Sequence, residues 1–178
     1  MVKIMNIRFE EIRRVPYIPP SVEILSLSFN KITKIENIPP KIKKLKMQHN
    51  EITHIENIPY LIMFLSLVYN KITTINNLPL SLRSLDLSYN KITTVENIPL
   101  NLECLYLTHN LITKIKNLPQ SLYILDLYSN PCMYIIKDLS INEIKWMSNF
   151  DKNIKVLSNY LIPDLVNIIK TYSIYNCF

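Results

Sequence analysis

Residues 81–100 read Ser-Leu-Arg-Ser-Leu-Asp-Leu-Ser-Tyr-Asn-Lys-Ile-Thr-Thr-Val-Glu-Asn-Ile-Pro-Leu, and nearly the same twenty residues recur on both sides of this stretch. When the chain is set in rows of twenty, this row has apolar residues at Leu82, Leu85, Leu87, Ile92, Val95 and Ile98. Asn90 separates the two halves of the row, and Pro99 lies near its end. The chain is therefore a tandem repeat, and this row defines the unit that the others copy.

Four columns keep this register without an insertion. The first asparagine column consists of Asn30, Asn50, Asn70, Asn90, Asn110 and Asn130. The leucine column consists of Leu25, Leu45, Leu65, Leu85, Leu105 and Leu125. The row-end prolines are Pro19, Pro39, Pro59, Pro79, Pro99 and Pro119, and the second asparagine column is Asn37, Asn57, Asn77, Asn97 and Asn117. The resulting pattern Leu-x-x-Leu-x-Leu-x-x-Asn-x-Ile resembles the leucine-rich repeat over about residues 2–135, and its short row is similar to the 20-residue subclass of bacterial effectors.

The spacing within a row predicts one short strand followed by a turn. In Leu85-Asp86-Leu87 the two leucines point to one face of a strand and Asp86 points to the other. Stacked rows then place equivalent strands side by side in a parallel sheet, about 4.8 Å apart. The amide of Asn90 can both donate and accept hydrogen bonds, so we expect it to bind the backbone of its own turn and of the next one.

These features predict an α/β-type leucine-rich-repeat solenoid with a curved parallel β-sheet on its concave face. About ten residues per row remain for the return path, which carries a proline and β-branched pairs such as Ile92-Thr93. We therefore expect an extended, polyproline-like convex side without helices. About seven repeats fill residues 1–138, the first and last of them degenerate, and each depends on its neighbours to bury its apolar residues.

Residues 139–178 depart from the repeat and have helical spacing instead. Ser140 followed by Glu143 is a capping box, the pattern that begins many helices. Apolar residues at helical spacing follow at Ile141, Ile144, Met147, Ile154, Leu157, Leu161, Leu165, Ile168, Ile169 and Tyr172. The segment is predicted to be a C-terminal α-helical cap packed on the last repeat, although a separate function stays open.

Composition limits the class of protein. At 178 residues the chain is one domain of ordinary size. No run approaches the roughly 18 apolar residues of a membrane span, and three cysteines do not build the paired-cysteine caps of secreted leucine-rich repeats. We expect an intracellular, cytoplasmic protein. The absence of glycine and the wealth of Ile, Lys, Asn and Tyr are typical of a very A+T-rich genome, which favours a source such as a large DNA virus and then the host cytoplasm.

The candidate protein-binding surface is the outward face of the predicted sheet together with the turn after each strand. The outward strand positions with large or charged side chains are Lys44, Lys46, Phe64, Asp86, Tyr106 and Asp126. Just before the first asparagine column lies a second set, here named the aromatic column, which consists of Phe9, Phe29, His49, Tyr69, Tyr89 and His109. Exposed aromatic side chains suit protein recognition because they bury a large area at low entropic cost. The alternative is that these rings only stack on one another and shield the turns.

Charge is uneven along this face. Positive charge is concentrated in one row, at Lys41, Lys43, Lys44 and Lys46, whereas Asp86 and Asp126 lie toward the C-terminal end. Such a dipole would orient a partner, although a lysine cluster that only serves solubility is the alternative. The net charge of +6 permits contact with nucleic acid or anionic lipid. The repeat, however, has no element that reads a groove and its basic patch is one row wide, which argues against nucleic acid.

Catalysis and metal binding are not predicted. His49 and His109 share a column three rows apart, which is about 14 Å at the strand spacing and too far for one metal ion. Cys104 and His109 lie at a strand and at its exit, an arrangement that does not suit a nucleophile and its base. Cys132 falls in the core column of Ile112, so we expect it to be buried. We predict no catalytic residue, no cofactor and no metal site.

The predicted function is that of a non-enzymatic protein–protein interaction module, an intracellular effector or scaffold that binds a partner protein through its concave face. The alternative is a self-assembling structural protein. The first predicted strand begins almost at Met1 and leaves one sheet edge uncapped. We therefore expect either a monomer or a weak homodimer that pairs through this N-terminal edge.

Overall fold

The structure, a computed structural model, describes residues 3–133 and 140–148. Its strands are β1 (Ile4–Asn6), β2 (Ile24–Ser26), β3 (Lys44–Lys46), β4 (Phe64–Ser66), β5 (Ser84–Asp86), β6 (Thr94–Val95), β7 (Cys104–Tyr106), β8 (Lys114–Ile115) and β9 (Ile124–Asp126). Helix α1 spans Ile141–Ser148.

The three-residue strands form one parallel sheet in the order β1-β2-β3-β4-β5-β7-β9. Each residue pairs with the one twenty positions later, so that Leu45 pairs with Leu65 and Leu65 pairs with Leu85. The period of the sequence is therefore the period of the structure. Among the described residues, the seven strands of this sheet are joined by six return paths, which confirms the predicted solenoid of stacked coils.

The core fills the interior of the coils. In the fourth turn, Ile62, Leu65, Leu67 and Ile72 are all 0% exposed, and their equivalents in neighbouring turns are buried in the same way. The middle residue of each strand points inward, which is the alternation that the sequence predicts. Cys132 is also buried, as its column predicts.

The first asparagine column links each turn to the one before it. The side-chain nitrogen of Asn70 donates hydrogen bonds to the carbonyl oxygens of Met47 and Leu67, both at 3.0 Å. Its side-chain oxygen accepts a hydrogen bond from the backbone amide of Ile52 at 3.0 Å. Met47 and Ile52 belong to the preceding turn, so the expectation that this asparagine binds the next turn is wrong in direction. The reason is that the side chain points back along the solenoid axis, which the spacing of residues does not determine.

The return path is extended, as predicted, and contains no helix among residues 3–130. It also contains a feature that the sequence analysis missed, because β6 and β8 pair in a second parallel sheet. The second asparagine column explains how the path turns without glycine. Its members have positive φ angles, for example 55° at Asn77 and 57° at Asn97. Asparagine tolerates this left-handed region better than most residues with a Cβ atom do.

Helix α1 contacts the last of the described coils through Ile144 and Lys145. The predicted capping box is present, because the carboxylate of Glu143 accepts a hydrogen bond from the amide of Ser140 at 2.8 Å and the Ser140 hydroxyl accepts one from the amide of Glu143 at 3.3 Å. Ile144 is buried against the core. The ammonium group of Lys145 donates to the carbonyl oxygens of Gln120 and Leu122, at 3.1 and 3.0 Å. The rest of the predicted cap, residues 149–178, lies outside the described residues.

Replacing Asn70 by Ala should lower the free energy of unfolding by about 2–6 kcal/mol, because a buried amide left without a partner costs about 1–3 kcal/mol and two further hydrogen bonds are lost at about 0.5–1.5 kcal/mol each. The amide of Ile52 loses its side-chain acceptor. The carbonyl oxygens of Met47 and Leu67 each lose one of two asparagine donors, since Asn50 and Asn90 also donate to them. Urea unfolding followed by circular dichroism measures the change. The matched control is Asn77→Ala, at an exposed position where the loss should be only the cost of a left-handed alanine, about 1–2 kcal/mol. Equal losses for the two variants would contradict the role given to the first asparagine column.

Candidate protein-binding surface

The outward positions of the main sheet form a surface that we call the strand face. It displays the predicted residues Lys44, Lys46, Phe64, Asp86, Tyr106 and Asp126, all of them half-buried. They are only half-buried because equivalent side chains on adjacent strands lie about 4.8 Å apart and shield one another. The smaller outward residues Ser26 and Ser66 are more deeply covered, at 2% and 1% exposure. The strand face is therefore a nearly continuous layer of side chains.

The basic part of the strand face is smaller than the sequence predicts. Lys43 forms an ion pair with Glu23 at 2.7 Å, because the register places these residues side by side on adjacent turns. The hydrogen bond and charge of Lys43 hold the pKa of Glu23 below its ordinary value. Lys44 lies 4.5 Å from the ring centre of Phe64, in a cation–π contact. Lys46 has neither an ion pair nor a ring contact among the described residues.

The acidic part of the strand face surrounds Tyr106. In the register, Tyr106 pairs with Asp86 on one side and with Asp126 on the other. Desolvation, the Cys104 thiol and the two carboxylates raise the pKa of Tyr106. The carboxylate of Asp86 accepts hydrogen bonds from the amide and hydroxyl of Ser88, at 3.1 and 2.7 Å, which fixes its orientation. This part of the surface therefore presents oriented carboxylates beside a protonated phenol.

The aromatic column lies in the turn just after each strand, at one edge of the strand face. Its rings stack in order from Phe9 to His109 with centroid distances between 4.1 and 4.8 Å. The predicted alternative of stacking is therefore correct in geometry, yet it does not exclude exposure, because Tyr69 and Tyr89 remain 43% and 37% exposed. Their faces are covered by neighbouring rings, so the column offers ring edges and hydroxyl groups to a partner. A hydrogen bond to Tyr89 raises the pKa of Tyr69.

Every member of the aromatic column has a left-handed backbone, with φ between 52° and 61°. The column ends where the register places Ser129, which has a φ of 57° but no ring. There the ring of Tyr128 approaches His109 edge-on at 6.0 Å. The positions of the rings are therefore determined by the repeat itself, at one ring per turn.

A third surface was missed by the sequence analysis. Tyr60, Leu80 and Leu100 are 68%, 64% and 73% exposed in the turns that precede β4, β5 and β7, and we name them the strand-entry stripe. Because the strands are parallel, this stripe and the aromatic column lie at opposite ends of the strands. The signal was present in the sequence, since an apolar residue directly follows each of the prolines Pro59, Pro79 and Pro99.

The two histidines considered for metal binding are not brought together. His49 and His109 are separated within the aromatic column by Tyr69 and Tyr89. Within residues 3–133 and 140–148, no group of three His, Cys, Asp or Glu side chains is arranged to hold a metal ion. The same described part of the chain contains no helix that is long and apolar enough to cross a membrane.

The twenty-residue register, the buried asparagines and the single parallel sheet define a leucine-rich-repeat solenoid. Comparison with protein families agrees, because a family model described as "Leucine Rich repeat" matches residues 80–95. The chain has the leucine-rich-repeat fold and is similar to leucine-rich-repeat proteins that include a bacterial effector. A search of curated protein sequences finds no match.

Solved leucine-rich-repeat structures have the same fold over most of the described chain. YopM from Yersinia enterocolitica WA-314 is 25% identical with a TM-score of 0.64, and the match covers 72% of this chain and 29% of that one. YopM from Yersinia pestis, a leucine-rich effector protein, is 30% identical with a TM-score of 0.61, over 65% and 33% of the two chains. The leucine-rich-repeat domain of a Shigella effector shares the fold at 23% identity, with a TM-score of 0.61 over 70% and 58%. The matched part thus spans about a third of the YopM chains.

Replacing Tyr89 by Asn removes two stacked contacts, worth about 0.5–1.5 kcal/mol each. These contacts are to Tyr69 at 4.1 Å and to His109 at 4.3 Å. Asparagine relieves much of the roughly 1–2 kcal/mol of backbone strain at a φ of 57°, so the free energy of unfolding should fall by about 1 kcal/mol or less. Thermal unfolding measures the change.

The control is Phe9→Asn at the end of the column, where one stacked contact at 4.8 Å is lost. Because the same strain is relieved and only one contact is lost, its free energy of unfolding should fall by about 0.5–1.5 kcal/mol less than that of Tyr89→Asn. An equal or larger loss at Phe9 would show that the stack does not stabilise the solenoid in the way proposed.

Proposed function

We propose that the protein is a non-enzymatic binding module that holds a partner protein against the strand face and the aromatic column. The proposal depends chiefly on one observation, the occurrence of aromatic and imidazole rings at left-handed positions. A bulky residue there costs about 1–2 kcal/mol, whereas the asparagines of the second column occupy the same region of φ with less strain. Structural needs alone would therefore favour asparagine at these positions.

Stacking returns only about 0.5–1.5 kcal/mol per contact, which is similar to the backbone cost. The rings thus add little net stability, and recognition explains their presence better. They are also preorganised, because each ring is fixed by its neighbours at 4.1–4.8 Å. A side chain that is already ordered loses little entropy when a partner binds, and more of the contact energy appears as affinity.

The chemistry of the surface supports a protein partner over a nucleic acid. Bases bind to single aromatic side chains through the ring faces, but here the ring faces are covered by one another. The strand face also carries Asp86 and Asp126, which would repel phosphates. A protein surface, with apolar groups and both signs of charge, complements ring edges, carboxylates and the ammonium group of Lys46.

An effector or scaffold role would follow from such binding, by occlusion or by bringing proteins together. YopM from Yersinia pestis is itself described as an effector protein, which supports this role by similarity. An intracellular location, the host cytoplasm if the protein is viral, stays a prediction from the sequence.

The double variant Tyr69→Asn with Tyr89→Asn should reduce capture of the protein's partner at least about tenfold, because two ring edges are removed at the centre of the surface. Immobilised full-length protein and quantitative mass spectrometry of the bound fraction measure the capture. The control variant Leu80→Ser with Leu100→Ser changes the strand-entry stripe and should bind normally.

Circular dichroism establishes whether each variant is folded. If the asparagine variant does not fold, Phe64→Ser with Tyr106→Ser tests the strand face without changing the stack. Normal capture by a folded double variant, or loss of capture by the strand-entry variant, would refute the proposed surface.

The alternative function, self-assembly through the N-terminal edge, is favoured by the position of β1. This strand is the end of the sheet order, and Ile4 and Phe9 beside it are 62% and 71% exposed. The binding-module proposal predicts a monomer in sedimentation velocity at micromolar concentration. A dimer that dissociates when Ile4 is replaced by Lys would support self-assembly instead.

A further inference from the structure

The charges of the strand face are separated along the solenoid axis. Lys46 on β3 is positive, Asp86 on β5 and Asp126 on β9 are negative, and β4 between β3 and β5 has no charged residue. None of these three side chains has an ion pair among the described residues. Unlike charges side by side on adjacent turns, such as Lys43 and Glu23, are neutralised locally. The separated charges are therefore available to a partner.

The register fixes the spacing of these charges. Lys46, Ser66 and Asp86 are pairing partners on three consecutive strands, so Lys46 and Asp86 are two strand spacings apart, or about 9.6 Å. Asp86 and Asp126 are again two strands apart, with Tyr106 between them. The surface thus repeats at about 9.6 Å in the order positive, negative, negative.

Ser66 lies between Lys46 and Asp86 in this row and is uncharged. It is 1% exposed, so its short side chain does not rise above the strand face. A segment that contacts both Lys46 and Asp86 must pass over Ser66, and this side chain leaves room for it.

We propose that the strand face binds a polyproline II segment of the partner, which crosses the strands and carries one acidic residue followed by two basic residues at intervals of three. This inference rests on the proposed function and specifies the partner's chemistry. The acidic side chain pairs with Lys46, and the two basic side chains pair with Asp86 and Asp126.

The conformation follows from the spacing. A polyproline II helix has three residues per turn and rises about 3.1 Å per residue, so every third side chain points the same way at intervals of about 9.3 Å. This interval matches two strand spacings. In a β-strand, residues three apart point to opposite faces. The partner segment therefore reads acidic-x-x-basic-x-x-basic along the axis, and Phe64 and Tyr106 contact the residues between the charges.

Fluorescence polarisation at low ionic strength tests the proposal with labelled peptides and the full-length protein. The matched probe contains Glu-Pro-Pro-Lys-Pro-Pro-Lys, and the swapped probe contains Lys-Pro-Pro-Glu-Pro-Pro-Glu. The matched probe should bind at least about tenfold more tightly, since the swapped probe makes three repulsions in the same direction and, when reversed, two charge pairs and one repulsion. The comparison is stringent, because the protein's charge of +6 favours the more acidic swapped probe. Equal binding, or tighter binding of the swapped probe, would overturn the proposal.

Two lysines of the same turn provide a matched pair of variants. Lys46→Met should weaken binding of the matched probe at least about fivefold, because it removes the partner of the glutamate. Lys43→Met should leave binding unchanged, because Lys43 is already paired with Glu23 at 2.7 Å. Equal effects of the two variants would show that the contact is nonspecific charge attraction and would refute the proposal.

A third probe separates this inference from the proposed function. A helical peptide with the same charges at intervals of seven residues spans about 10.5 Å per interval. If only this probe binds, and binding depends on Lys46, the polyproline II inference fails whereas the binding-module proposal stands. Failure of the binding-module proposal is recognised separately, by normal partner capture when Tyr69 and Tyr89 are both replaced.

Discussion

The side-chain hydrogen bonds of the first asparagine column are the constraint on which the rest of the structure depends. Asn50, Asn70, Asn90 and Asn110 are buried, and each joins its own turn to the preceding one through about 3.0 Å contacts with backbone groups. A turn without this link would bury unpaired amides and carbonyls at the exit from the strand. The link also fixes the twenty-residue register, and this register aligns the rings, the charges and the apolar columns into continuous rows.

The register has a consequence for turn chemistry in a chain without glycine. Each regular turn needs two left-handed residues, one just after the strand and one on the return path. Asparagine occupies the second position, as expected for a residue that tolerates positive φ. The first position holds rings, which the neighbouring turns stabilise by stacking. A single aromatic residue in this conformation would be strained, whereas in a column each ring is stabilised by stacking on its neighbours. This aromatic surface therefore depends on the repeat.

The features that recur in every row could be predicted from the sequence. The contacts that depend on the direction of a side chain could not. The alternation of Leu85 and Asp86, the burial of Cys132 and the capping box at Ser140 followed from spacing alone. The direction of the Asn70 side chain and the ion pair of Lys43 with Glu23 did not, because spacing along one row leaves rotamers and cross-turn contacts undetermined. The exposure of Tyr60, Leu80 and Leu100 did not follow either, because an apolar residue beside a proline can be buried or exposed and its spacing does not decide which.

Native-state hydrogen exchange of the backbone amides, measured by NMR, tests the central role of the asparagine column most directly. The amides of Ile32, Ile52, Ile72, Ile92 and Ile112 each donate to an asparagine side chain at 3.0 Å. We expect these amides to be among the slowest to exchange and protection to recur every twenty residues. Rapid exchange at these amides, or protection confined to one part of the chain without this period, would contradict it.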